Sequence, residues 1–224
     1  LGVIMGVVSA SKLGPSQGIV TGLLTFAAAM LLMGPMMLRG DLRQDLQHLA
    51  ELKTLPFSGA TVVAAEVLSV AVPLAAIQAV ALAMAAFAAQ AGGLDWGPPA
   101  MRVAIAVGAV PVLLAVNACS LTVQNGAPIL FPDWARLGTA VPGGVEMMGQ
   151  LILVMGLYFI LLVLLLVLPV AGGFIVMSTM YVTGPMGVVV TMVIGSAALA
   201  FELWGVMQLL GRAFDRLEPS AVSG

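Results

Sequence analysis

Long apolar runs with almost no charge divide the chain, and this pattern limits its fold more than any other feature. The runs cover residues 1–11, 18–38, 60–91, 103–123, 149–170 and 186–210. A run of ~20 apolar residues can cross a bilayer, and in hydrocarbon it satisfies its backbone hydrogen bonds only as a helix. Since the sequence also lacks the alternating pattern of a membrane barrel, we predict an all-α fold. This is a polytopic transmembrane helix bundle of about six spans, forming a single domain over residues 1–224.

Composition supports a chain whose main solvent is lipid. Hydrophobic residues make up 61% and charged residues 8% of the sequence, whereas soluble domains carry roughly 25% charged residues. The net charge of −2 argues against nucleic acid as a partner. The first run, 1–11, is about half a span long, so we expect a fragment with a truncated first span.

The basic residues predict an orientation. Six lie on one side of the six-span arrangement: Arg39, Arg43, Lys53, Arg136, Arg212 and Arg216. Only Lys12 and Arg102 lie on the other. The positive-inside rule makes the richer side cytoplasmic. We therefore predict a multi-pass protein of the cell inner (plasma) membrane with a cytoplasmic C-terminus.

The segment Gly40–Gly59, GDLRQDLQHLAELKTLPFSG, is predicted to hold a cytoplasmic amphipathic helix over residues 41–55. Leucines follow helical spacing along one side, polar residues cover the rest, and Pro56 ends the helix. We interpret it as a docking helix for a cytoplasmic partner; alternatively it lies on lipid or packs on its own bundle. The candidate docking residues are Asp41, Leu42, Arg43, Asp45, Leu46, His48, Leu49, Glu51, Leu52 and Lys53.

Two further segments are unusual for loops. The second cytoplasmic loop, 124–147, contains an apolar stretch that is expected to pack at the membrane surface or on a partner; its candidate residues are Phe131, Trp134, Arg136 and Glu146. Residues 171–185, AGGFIVMSTMYVTGP, are too apolar for an external loop and too short to cross. They predict a re-entrant or interfacial segment broken at Gly172, Gly173 and Gly184-Pro185, or alternatively a longer fifth span.

Four polar residues inside the spans are candidate functional groups: Glu66, Gln78, Asn117 and Glu202. Such residues line pathways or relay protons, or alternatively form interhelical hydrogen bonds or snorkel to the boundary. Both glutamates are predicted to lie nearer the cytoplasmic boundary than the midplane. With a single histidine, a single cysteine and no phosphate-binding loop or HExxH motif, we expect no metal, no cofactor and no enzymatic chemistry.

Three stretches resemble one family. The RGDLRQDLQHLAELKTLPFSG stretch resembles the coupling segment of bacterial ABC exporter permeases with a type-2 ABC membrane domain. ILFPDWARLG with GVEMMGQ resembles that family's second cytoplasmic loop, and GRAFDRLEP its C-terminal tail. The resemblance implies a partner ATPase subunit that receives the 41–55 helix, and a second membrane half or a homodimer. The alternative functions are an ATP-independent secondary transporter or channel, and a membrane scaffold.

Overall fold

The protein is helical throughout its described part. The structure, a computed structural model, describes residues 14–37, 48–92, 98–130 and 184–217, together with 156, 163, 167 and 170–172. The helices with defined bounds are α1 (Pro15–Met37), α2 (Leu49–Leu52), α3 (Gly59–Ala91), α4 (Pro99–Leu130) and α5 (Pro185–Arg216). No strand occurs among these residues, so the predicted all-α class is confirmed for them.

Three helices are long and apolar enough to cross a membrane: α3, α4 and α5. Residues 15–31 of α1 form a shorter apolar helix. These helices overlap the segments predicted as the second, third, fourth and sixth spans, but α1 does not reach the length and hydropathy of the other three. The first span lies outside the described residues, as does the fifth apart from single helical positions such as Val163 and Val167. The structure thus has three helices that could cross a membrane, and the prediction of six spans stays a prediction.

Local sequence explains where two of the long helices begin. The Ser58 side chain caps α3 by accepting a hydrogen bond from the Thr61 backbone N–H at 3.3 Å. At α5, Gly184 has a φ of 82° and Pro185 opens the helix. A positive φ suits glycine, and proline is favoured in the first turn. The Gly184-Pro185 break predicted from the sequence is therefore the start of α5, while residues 173–183 lie outside the described part.

Two helices end later than predicted. Helix α4 continues from residue 123 to Leu130, through residues that we assigned to the second cytoplasmic loop, and α5 continues from residue 210 to Arg216. The added turns bury side chains: Ile129 of α4 and Phe214 of α5 belong to one apolar core. Tertiary packing thus outweighs the local signals of Asn, Gly and Pro on which the shorter prediction depended.

Contacts along the helices fix their relative directions. Gly92 lies against Ser16 and Gly34 against Leu74, so α1 and α3 are antiparallel. Gly108 lies against Met192 and Gly126 against Leu210, so α4 and α5 run parallel, in register over 18 residues of each (126 − 108 and 210 − 192). Since a short connection joins α3 to α4, the start of α3 and the ends of α4 and α5 share one end of the bundle.

The apolar core lies between α3, α4 and α5 and reaches that shared end. Its fully buried members include Val63 and Val67 of α3, and Cys119 and Leu121 of α4. Helix α5 contributes a line of side chains at helical spacing: Leu199, Leu203, Leu210 and Phe214. Helix α2 also enters this core through Leu49.

Candidate functional site

The described part of the predicted docking helix is shorter than expected. Helix α2 ends at Leu52 rather than Leu55, and the following residues form turns in which the Thr54 N–H donates to the Glu51 carbonyl at 3.0 Å. Asp41, Leu42, Arg43, Asp45 and Leu46 lie outside the described residues.

The apolar side of α2 packs on its own bundle. Leu49 is 1% exposed and belongs to the same core as Phe214, and Leu52 packs against that core. Leu49 therefore cannot be a docking residue while the bundle stays intact, which corrects its predicted role. The reason is that the buried ends of α4 and α5 extend far enough to receive it. The alternative interpretation, packing on the protein's own bundle, describes this side of the segment.

The opposite side of the segment is exposed. The side chains of His48 and Glu51 are 68% and 84% exposed, with His48 Nδ1 and Glu51 Oε2 3.8 Å apart. Two large apolar residues, Leu55 and Phe57, are also exposed. Exposed apolar side chains beside charged ones occur at contacts with another protein or with the membrane surface.

Hydrogen bonds fasten this segment to the ends of α3 and α5. Lys53 Nζ donates to the Asp215 carbonyl at 3.2 Å and also to the Leu217 carbonyl. Asp215 Oδ1 in turn accepts from the Gly59 N–H at 2.9 Å. The ammonium thus meets the negative end of α5, and the carboxylate meets the positive end of α3.

Glycine allows the two helix ends to touch. A Cβ atom on Gly59 would lie 2.5 Å from the Gly211 carbonyl oxygen, and one on Gly211 would lie 2.5 Å from Ala60 Cα. Together with Leu49, Lys53, Phe214 and Asp215, these glycines form what we call the helix-end junction. Sequence reasoning named Leu49 and Lys53 but missed Gly211 and Asp215, because nothing in the sequence indicates that the start of α3 meets the end of α5.

A second polar group lies at mid-height in the bundle. Gln78 of α3 and Asn117 of α4 are each 0% exposed, and Asn117 Nδ2 donates to Gln78 Oε1 at 2.6 Å. Gln78 lies 19 residues after Gly59 and 13 before Ala91; Asn117 lies 18 after Pro99 and 13 before Leu130. The structure therefore brings together two of the four predicted intramembrane residues.

Glu202 lies at a similar position in α5. It is 17 residues after Pro185 and 14 before Arg216, so it is central in its helix. Its predicted position nearer the cytoplasmic boundary than the midplane stays a prediction. Glu202 is half-buried, and the register of α4 and α5 (192 − 108 = 210 − 126 = 84) places it level with Ala118 of α4, next to the buried Cys119 in the chain. Glu66, seven residues after Gly59, is half-buried near the start of α3.

We name Gln78, Asn117, Cys119 and Glu202 the central polar layer. Four buried polar atoms in and beside it have no hydrogen-bond partner among the described residues: Gln78 Nε2, Asn117 Oδ1, Gln124 Oε1 and Glu202 Oε2. Buried polar groups are normally paired, so each exception requires an explanation.

Other buried polar residues near the layer form hydrogen bonds within their own helices. Thr122 Oγ1 donates to the Ala118 carbonyl at 2.7 Å, and Ser196 Oγ donates to the Met192 carbonyl at 2.6 Å. Hydroxyls often bond within their own helix in this way. Neither hydroxyl is among the candidate residues predicted from the sequence. The two amides and Glu202 are therefore the polar groups here that lack such local hydrogen bonds.

The remaining predicted site residues, Phe131, Trp134, Arg136 and Glu146, lie outside the described residues. Within the part of the chain that the structure covers, no group of three or more His, Cys, Asp or Glu side chains could hold a metal ion.

Comparison with known proteins finds no relative. No family model matches the chain, and neither the curated proteins nor the solved structures contain a significant match. The fold defines an all-helical protein, over the described residues, with three helices long and apolar enough to cross a membrane. Its function has to be argued from the residues themselves.

Proposed function

We propose that this protein is the membrane-spanning permease subunit of an ATP-driven ABC exporter. In this role it couples ATP hydrolysis on a separate ATPase subunit to the movement of a substrate across the membrane, and it carries out no bond chemistry itself. The ATPase meets the cytoplasmic side of the protein, and a second membrane half or a second copy of the chain completes the pathway.

One observation carries the proposal: the segment 48–58 has one side free and the other fastened to membrane helices. His48, Glu51, Leu55 and Phe57 point outward. Lys53 is hydrogen-bonded to the end of α5, and Leu49 is buried in the core. A force applied to the outer side would therefore reach the membrane helices, because the segment cannot move independently of them.

The contacts define how such a movement would spread. Because Asp215 is bonded both to Lys53 and to Gly59, displacement of the segment shifts the start of α3 and the end of α5 together. Tightly packed helices switch between discrete arrangements rather than deform continuously. Closure of the ATPase subunits would favour one arrangement of the bundle and ATP hydrolysis the other, which is alternating access.

Substitutions of the exposed residues of the segment test whether an ATP-binding subunit docks there. The protein is affinity-purified from native membranes, and ATP hydrolysis by the co-purified material is measured. We expect Leu55→Asp with Phe57→Asp to remove that activity together with its ATP-binding subunit, while the level of inserted protein is unchanged. Met186→Asp is the matched control, since Met186 is also exposed and apolar but lies at the opposite end of α5.

Two results would overturn the proposal. One is ATP hydrolysis that co-purifies undiminished with the double variant. The other is a purified unmodified protein that contains no ATP-binding subunit at all. Leu49→Asp is avoided here, because Leu49 is part of the core and its loss would confound docking with folding.

A second candidate, an ATP-independent transporter or channel, is favoured by the central polar layer. Binding sites of secondary transporters lie near the bilayer midplane, and Gln78, Asn117 and Glu202 are central in their helices. This candidate predicts that vesicles containing the purified chain alone move a probe such as ethidium without ATP. Transport that requires ATP and the co-purified subunit would decide for the exporter.

A further inference from the structure

We propose that the end of α5 binds an anionic phospholipid. Arg212 and Arg216 hold the phosphate, and the exposed apolar side chains that precede them along the helix lie against the acyl chains. The inference goes beyond the exporter function and does not rest on it, because it requires only that α5 crosses a membrane.

The first observation is a change in chemistry along one side of α5. Phe201, Trp204 and Leu209 are 73%, 60% and 64% exposed, and Arg212 and Arg216 are exposed as well. At about 100° per residue, Arg212 lies about 20° around the helix from Phe201, and Arg216 about 20° from Leu209. The same side of the helix therefore changes from large apolar side chains to arginines within one turn, as a membrane helix does where hydrocarbon meets the headgroups.

The second observation is the spacing of the two arginines. They are four residues apart, and α5 is helical through Arg216, so they lie one above the other on adjacent turns. Side chains in this relation have Cβ atoms about 5–6 Å apart, which lets two guanidinium groups reach one phosphate. Arginine binds phosphate through paired N–H donors, in a geometry that a single ammonium does not offer.

The third observation concerns the charges around the arginines. Among the described residues, neither the Arg212 nor the Arg216 side chain forms a hydrogen bond or an ion pair. Asp215 lies between them in the chain, but its Oδ1 accepts from the Gly59 N–H at 2.9 Å, which holds the carboxylate against α3. Lys53 donates to the Asp215 carbonyl and so offsets the negative end of α5. The two guanidinium groups thus remain available to an external anion.

The position of the arginines identifies this anion as a lipid headgroup. They continue the side of α5 whose apolar side chains face hydrocarbon when the helix crosses a membrane, so the nearest phosphates belong to lipids. Trp204 lies eight residues before Arg212, about 12 Å along the helix, and an acyl chain below a phosphate at Arg212 extends over that distance. A zwitterionic headgroup carries an ammonium that guanidinium groups repel, so a headgroup with a net negative charge binds better.

Trp204 serves as the reporter of the bound lipid. The chain has three tryptophans, and Trp96→Phe with Trp134→Phe leaves Trp204 alone in the otherwise full chain. This variant is placed in bilayers of phosphatidylcholine and phosphatidylglycerol, and one lipid at a time carries dibrominated acyl chains, which quench nearby tryptophan. At equal mole fractions we expect brominated phosphatidylglycerol to quench Trp204 more strongly, with a binding constant about fivefold that of phosphatidylcholine.

Substitution of the two arginines tests their role. Arg212→Gln with Arg216→Gln should lower the binding ratio to about one, because the phosphate then meets no positive charge on this side of α5. Arg102→Gln is the matched control, since it also removes an arginine but near the start of α4, at the opposite end of the bundle, and should leave the ratio unchanged. High salt should lower the ratio in the chain that retains both arginines, because it screens exposed charges.

Two results would overturn the proposal. One is equal quenching by the two brominated lipids while both arginines are present; loss of an ATP-binding subunit from the double variant would then assign the arginines to a protein contact. The other is a preference for phosphatidylglycerol that persists in the double variant, or that Arg102→Gln removes to the same extent. Since the quenching is measured on the purified chain alone, neither result depends on the exporter function.

Discussion

The helix-end junction and the central polar layer differ in whether their polar groups have hydrogen-bond partners. At the junction, Lys53 donates to the end of α5 and Asp215 accepts from the start of α3. In the polar layer, Asn117 and Gln78 make one mutual bond, and each retains a buried atom without a partner. Both regions include residues of α3 and α5, so the difference does not come from the fold class.

The pairing at the junction favours stability, whereas the unpaired atoms of the polar layer could still bind a ligand. Satisfied polar groups and backbone contact fix the relative position of helices, whereas unsatisfied buried groups lower stability unless something else pairs with them. The junction is thus suited to pass on movement, and the layer to hold a ligand.

The largest effect is expected at Gly211. Gly211→Ala places a methyl group against the backbone of Ala60, at 2.5 Å from its Cα, and backbone cannot move aside as a side-chain end can. We expect a loss of about 3 kcal/mol in the free energy of unfolding, measured by titration from mild detergent into dodecyl sulfate.

Gly205→Ala is the matched control for Gly211→Ala. Gly205 lies in the same helix with nothing within 4 Å of its Cβ position, so alanine there should be neutral or raise stability by up to about 1 kcal/mol through helix propensity. Equal losses in the two variants would show that the junction is not closely packed.

An intermediate effect is expected in the polar layer. Asn117→Leu leaves the whole Gln78 amide buried without its partner, and we expect it to cost about 1–2 kcal/mol in the same unfolding titration. Adding Gln78→Met should recover at least half of that loss, because no buried amide then remains. The double variant should nevertheless bind ethidium more weakly than the unmodified chain.

Asn117→Leu, Gln78→Met and their combination form a double-mutant cycle, which tests whether the amide pair serves a ligand or interhelical packing. Full recovery of stability with loss of ethidium binding would show that the amides are retained for a ligand. Purely additive losses, with ethidium binding intact, would mean that the pair serves interhelical packing alone.

The sequence predicted the apolar helices well because length and hydropathy determine them locally. Each described long helix overlaps a predicted span, and the starts of α3 and α5 lie within one residue of prediction. The C-terminal ends of α4 and α5 were predicted too early, because burial of Ile129 and Phe214 is a tertiary effect that no local signal reports.

The candidate site was predictable as a set of residues but not as an arrangement. A polar residue in an apolar run is visible in the sequence, which is how Gln78, Asn117 and Glu202 were found. That Gln78 bonds to Asn117, and that Asp215 joins two helix ends, depends on which helices are neighbours and in which register. Leu49 shows the converse: its spacing indicated an apolar side correctly, but not what would cover it.

The smallest effect on stability is expected at Lys53, where it tests the junction as a coupling element. Lys53→Met keeps the apolar stem but removes the ammonium that bonds to the Asp215 carbonyl. Because Lys53 is exposed and salt screens such interactions, we expect a loss of only about 0.5 kcal/mol, decreasing at high salt. Lys53→Arg retains the charge and is the control.

If the junction transmits movement, Lys53→Met should reduce ethidium-stimulated ATP hydrolysis by the purified complex several-fold, far more than so small a loss of stability explains. Unchanged stimulation would mean that the junction only stabilises the bundle and that force reaches the membrane helices by another route.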